Sequence, residues 1–195
     1  MNFLAHAYLS FGNEGILIGN MIADHVKGQH ALQVFPEDVR RGINLHRKID
    51  AFTDEHPATQ RAKVWFREDY HLYAGPIMDT LYDHFLANDP VHFQDEQALR
   101  HFTQHTYATL DQHHDILPLT FAAVLPYMKE HNWLFEYRNL MGMKKSLNGL
   151  SRRAKYMGTA EKAYELFITN YYAINQCYFE LMDDLVLFVK RELSN

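Results

Sequence analysis

The sequence predicts a single all-α domain of irregularly packed helices, and three observations lead there. Apolar residues recur at intervals of three and four, whereas the period-two alternation of strands is rare. Pro36, Pro57, Pro76, Pro90 and Pro118 each stand where a helix can open, because proline tolerates the first turn. The last segment, from Thr159 to about Leu193, sets Ala160, Ala163, Tyr164, Phe167, Tyr171, Ile174, Tyr178, Leu181, Leu185 and Phe188 in one stripe at helical spacing. Such a stripe is core packing.

The elements follow in order. A short helix covers Phe3 to Leu9 and stops near Gly12. A second runs from about Gly15 to Val26 and ends before Gly28, a residue suited to a helix stop. Pro36, followed by Glu37 and Asp38, opens a helix to about Thr53, the acids complementing its dipole. Pro57 opens the next, to about Glu68, and Pro76 another, closing near Asn88. Pro90 is expected to start a long polar helix to about His113. Pro118 introduces residues 119–128, where Pro126 should kink or end the helix. WLFEYRNL and MKKSLNGL are shorter helical pieces.

The bulk numbers narrow the class. At 195 residues the expectation is one domain with a core large enough to need no disulfide, and the single cysteine, Cys177, forms no internal bridge. That fits a reducing, cytoplasmic setting. The opening MNFLAHAYLSFG lacks the basic leader and cleavage site of a signal peptide, and no run of apolar residues is long enough to span a membrane. A formal charge of −5 argues against broad nucleic-acid binding.

The chemistry-bearing residues are acids and imidazoles. His46 and Asp50 are four apart in GINLHRKIDAFTD, and Asp79 and Asp83 are four apart in MDTLYDHFL, with His84 following. Residues four apart share a helix face, so each pair can aim at one point. Asp79 and Asp83 lie among Ile77, Leu81, Tyr82, Phe85 and Leu86, where desolvation requires a compensating cation, either a metal or an Arg or Lys from elsewhere. Asp24 ends an otherwise apolar run one turn after Asn20, and His6 lies inside an apolar pentad. The expected metal ligands are therefore Asp24, His46, Asp50, Asp79 and Asp83. His6 and His84 serve either as further ligands or as the proton donor, and Arg47 as a phosphate clamp. The oxygen and nitrogen donors suit Mn, Mg, Fe or Zn, with Mn and Mg first. His101, His105, His113 and His114, by contrast, fall in a polar stretch and read as solvated.

Other templates are absent: there is no GxxxxGK[ST], GxGxxG, HExxH or CxxC. From Arg138 to Ala160 the chain carries Arg138, Lys144, Lys145, Arg152, Arg153 and Lys155 with no acid, a surface for an acidic partner. Within it, Asn148 and Gly149 are expected to form a turn that presents Arg152 and Arg153.

The blocks MNFLAHAYLS, GNMIADHVKG, GINLHRKIDAFTD, MDTLYDHFL and LNGLSRR, in this order, resemble the bacterial acyl carrier protein phosphodiesterase family. The resemblance covers most of the chain. It implies a helical fold distantly related to the HD metallophosphohydrolases, although the doublet here reads Asp83-His84 rather than His-Asp. It also implies hydrolysis of the phosphodiester between 4′-phosphopantetheine and a serine of holo-acyl carrier protein, with manganese as the metal and magnesium or iron as alternatives. Acyl carrier protein is strongly acidic, which agrees with the basic window read independently. Two other functions remain open on the residues alone: hydrolysis of a nucleotide or other small phosphate ester, and a non-enzymatic module that binds an acidic partner.

Overall fold

The computed structural model describes residues 1–154 and 156–194, and among these there is no strand. The helices are α1 (Phe3–Tyr8), α2 (Glu14–Ile22), α3 (Gln29–Leu32), α4 (Glu37–Glu55), α5 (Pro57–Tyr70), α6 (Ala74–Ala87), α7 (Glu96–Gln112), α8 (Leu119–Ala122), α9 (Leu125–Glu130), α10 (Trp133–Glu136), α11 (Leu140–Arg153), α12 (Ala160–Thr169) and α13 (Tyr171–Ser194). Their apolar faces share one continuous core, in which Ile22, Ile43, Phe66, Ile77, Tyr82, Phe167 and Tyr178 are fully enclosed. No described helix is long and apolar enough to cross a membrane.

Two contacts position the site. The first joins α2 to α4. A methyl group on Gly42 would run into the Ile16 carbonyl oxygen and stand 2.9 Å from Gly19 Cα, so the two backbones touch where only hydrogen is small enough. The second holds α1 against α6. This six-residue helix starts with unpaired amides, and Asp83 of α6 accepts from the N–H groups of Leu4 (2.8 Å), Ala5 (3.2 Å) and Asn2 (3.3 Å). Asp83 thereby caps a helix that lies far from it in sequence.

Several boundaries differ from the sequence reading. Residues 89–95 form a turn rather than the start of α7: Asp89 bonds the Val91 N–H and the Tyr178 hydroxyl, and Asp95 caps the helix by accepting from Ala98. A proline tolerates a first turn, but an aspartate satisfies its free amides, and the aspartate prevails here. Pro126 opens α9 instead of ending a longer helix. α6 begins at Ala74, with Pro76 inside its first turn, where the missing N–H has no intrahelical partner to lose. Asn148 and Gly149 are helical within α11, so Arg152 and Arg153 extend from a helix end and not a turn. The long terminal stripe is two helices, broken at Asn170, whose side-chain amide folds back to donate to the Leu166 carbonyl.

Candidate metal centre

α2 ends in a 3₁₀ turn, Ala23–His25, that carries Asp24 out to the rim of α4. There the Asp24 carboxylate stands 3.4 Å from His46 Nε2. One turn along α4, Asp50 stands 3.1 Å from the same nitrogen and accepts from His6 Nε2 at 3.0 Å through its other oxygen. The His6 and His46 rings stack with centroids 3.7 Å apart. Nitrogen and oxygen atoms of His6, His46 and Asp50 all fall within 4.8 Å of one another. Two helices, α1 and α4, and the 3₁₀ turn thus bring two imidazoles and two carboxylates to one point.

The donor set calls for a cation. His46 Nδ1 lies 2.8 Å from the Asn20 carbonyl oxygen. A carbonyl only accepts, so Nδ1 carries the hydrogen and a neutral ring aims its Nε2 lone pair at Asp24 and Asp50. That arrangement is repulsive until a proton or a metal ion lies between. Burial opposes charge on His46, yet its bonds to Asp24 and Asp50 outweigh it and raise the imidazole to about 9. His6 goes the other way: burial first, then the charge of His46, hold it down to about 4. Its Nδ1 is buried without a partner. Asp50, buried yet bonded to both rings, is held well below the usual carboxylate range, and Asp24 is lowered by its bond to His46.

The remaining predicted residues fall around this cluster. Asp79 accepts from the Met1 α-amino group at 2.7 Å, and that ammonium also stands 3.5 Å from Asp50, so Asp79 borders the site through it. Asp83 does not join: its oxygens are taken by the α1 amides, which supply the compensation that a metal was expected to give. Burial outweighs those three bonds and pushes its carboxyl up to about 7. His84 does not join either. Its Nδ1 donates to the Tyr137 carbonyl at 2.7 Å and its Nε2 accepts from the Tyr171 hydroxyl at 3.0 Å, in an aromatic pocket with Phe167. The ring shares no contact with His6, His46 or Asp50. Arg47 donates to the Val26 carbonyl at 3.3 Å, which ties α4 to the end of the 3₁₀ turn beside Asp24. Lys144, Lys145, Arg152 and Arg153 are all exposed on α11, whereas Arg138 is engaged by Glu96. Lys155 lies outside the described residues.

Two contributors escaped the sequence reading. The Asn20 carbonyl is main chain and leaves no mark in a side-chain pattern. Lys63 of α5 is buried, paired with Asp54 one turn beyond Asp50, and its charge reaches Asp79. Its only signal was a lysine between Ala62 and Val64 on an apolar face.

An all-helical domain with clustered imidazoles and carboxylates has the form of a helical hydrolase. The comparisons give the family: residues 1–185 match acyl carrier protein phosphodiesterase, and the chain belongs to that family. It is 29% identical over 192 residues to an acyl carrier protein phosphodiesterase of Enterobacter sp. (strain 638), covering 98% of this chain and 99% of that one. An Escherichia coli O45:K1 protein of the same name is 36% identical over 170 residues, 85% of this chain and 86% of its own. One from Salmonella paratyphi A is 33% identical over 153 residues, 78% and 79% of the two chains. No solved structure matches.

Proposed function

We propose that the protein hydrolyses the phosphodiester joining 4′-phosphopantetheine to a serine of holo-acyl carrier protein, with a divalent cation held at His46, Asp50, Asp24 and His6. The observation that supports the site most strongly is His46, whose ring is fixed on the Asn20 carbonyl and turned so that Nε2 faces two carboxylates. The donors are oxygen and nitrogen without thiolate, which suits manganese first and magnesium or iron next. When bound, such a cation supplies an acidified water as nucleophile and neutralises charge on the non-bridging phosphate oxygens.

The chain's own residues do the rest. Asp50 bridges the two imidazoles and fixes their relative orientation. His6, kept neutral by burial, offers a nitrogen lone pair rather than a competing charge. Arg47 spends only part of its guanidinium on the Val26 carbonyl and has donors left for a phosphate oxygen. His84 and Asp83 are structural in this reading. The exposed cations of α11 attract the acidic carrier and orient it. Arg153 lies near enough for its charge to reach both His25, next to Asp24, and Tyr137. The basic end of α11 therefore lies within electrostatic reach of His25. A reducing cytoplasm is the compartment where carrier and thiol coexist.

The test is intact mass of holo-acyl carrier protein after incubation with the protein, in Mn²⁺ and in chelator. Manganese-dependent loss of the phosphopantetheine mass is expected. An unchanged carrier in every metal would overturn the substrate.

A further inference from the structure

Beside the cluster runs an open groove of about 480 Å³, between the segment after the 3₁₀ turn and the start of α8. That volume lies in the range of small-molecule sites. Its floor is apolar, built from Val26, Ala31, Phe35, Ile116, Leu117 and Pro118. His25 and Asp115 are the polar residues in its lining. Val34 and Leu119 form lips that are 79% and 88% exposed, unusual for branched aliphatic residues with nothing over them.

At one end the groove is lined by a chain neighbour of the candidate metal centre. His25 follows Asp24 directly, and its ring is set by a 2.9 Å hydrogen bond to Thr120 and an edge-on contact with Phe121. Val26, on the floor, holds Arg47 through its carbonyl, and Arg47 follows His46. Arg47, bonded to the Val26 carbonyl, and the exposed Lys27, next to Val26 in the chain, put positive charge at this end. Positive charge at one end and an apolar floor leading away match a ligand with an anionic head and a largely aliphatic tail.

We propose that this groove is the subsite for the pantetheine arm of the substrate, with the phosphate at the His46–Asp50 cluster. Methylenes of the arm pack on Val26, Phe35 and Leu117. Its amide groups meet Asp115 and His25, and the thiol end emerges between Val34 and Leu119. The inference rests on the reading above that holo-acyl carrier protein is the substrate.

Calorimetry with free 4′-phosphopantetheine, on the full chain with and without Mn²⁺, tests it. Two variants are compared with the wild type: Ala31→Phe, which fills the floor, and Val34→Trp, which lays a ring across a mouth whose residue does not support the core. Each is expected to weaken binding at least tenfold and to raise KM for holo-carrier more than it lowers kcat, with the melting curve showing a folded protein. Unchanged affinity in a folded variant, or no binding by the wild type at millimolar ligand, overturns the groove assignment even where the carrier is cleaved. Tight, groove-dependent binding without any cleavage would instead overturn the reaction and leave the groove standing.

Discussion

Replacing His46 with asparagine isolates the proton that the ring holds between two carboxylates when no metal ion is bound. Asparagine keeps an N–H to give the Asn20 carbonyl but removes Nε2. In the metal-free protein His46 titrates near 9 against 6.5 when unfolded. A raised imidazole contributes stability that is complete below pH 6.5 and is lost as pH rises through 9. At about 1.4 kcal/mol per pH unit the upper bound is about 3 kcal/mol. Asp24 is 74% exposed, so solvent screens its part, and about 2 kcal/mol is the working figure. For a domain of this size that is a melting shift of about 4–8 °C. Melts in chelator between pH 6 and 9.5 should therefore fall more steeply for wild type than for His46→Asn by that amount. In saturating Mn²⁺ the wild-type slope should flatten or reverse, because metal takes the place of the proton. Parallel curves in chelator would refute the charge assignment. A slope indifferent to Mn²⁺ would refute the shared position.

Below pH 6.5 the sign changes with His6. Its folded imidazole resists protonation down to about 4, so stability should fall as pH drops across that interval, and His6→Gln should remove this limb from the melts. Asp50→Asn should abolish measurable Mn²⁺ binding and lower kcat/KM for holo-carrier at least ~100-fold with the helical circular dichroism kept; unfolding would point to a structural role. Gly42→Ala, which drives a methyl into the Ile16 carbonyl, should cost about 3 kcal/mol in urea denaturation, and a cost below ~1 kcal/mol would show that α2 and α4 can separate freely. Asp83→Ala leaves three amides of α1 without their acceptor and should destabilise by about 3 kcal/mol whether or not metal is present. Lys144→Glu with Arg153→Glu should raise KM for the carrier several-fold, an effect that shrinks with added salt if the attraction is electrostatic.

The helical class and most elements were legible because periodicity and capping are local properties. So was the pairing of His46 with Asp50, since four residues of helix is a fixed distance. What sequence left open was the identity of the compensating charge. Asp83 on an apolar helix demanded something positive, and a cation and the amino end of a distant helix meet that demand equally well. Only the packing of α1 on α6 decides between them. His84 was similarly ambiguous: an imidazole beside an acid reads as chemistry until Tyr137 and Tyr171 occupy both nitrogens. Asp79 was expected as a metal ligand, and the cation that it meets, the α-amino group of Met1, leaves no mark in a side-chain pattern. The break at Asn170 was hidden because its neighbours keep the same apolar register on both sides.

The anchor of His46 is a main-chain oxygen, and that has an evolutionary consequence. Every residue type at position 20 presents the same carbonyl, so the tautomer of His46 is insulated from side-chain change there. The vulnerable quantity is the gap between α2 and α4, which two glycines set. Drift that widened this gap would disarm the ring without altering any residue that touches the substrate. Loss of function in a descendant chain would then be written at Gly19 or Gly42, in positions that carry no chemistry of their own.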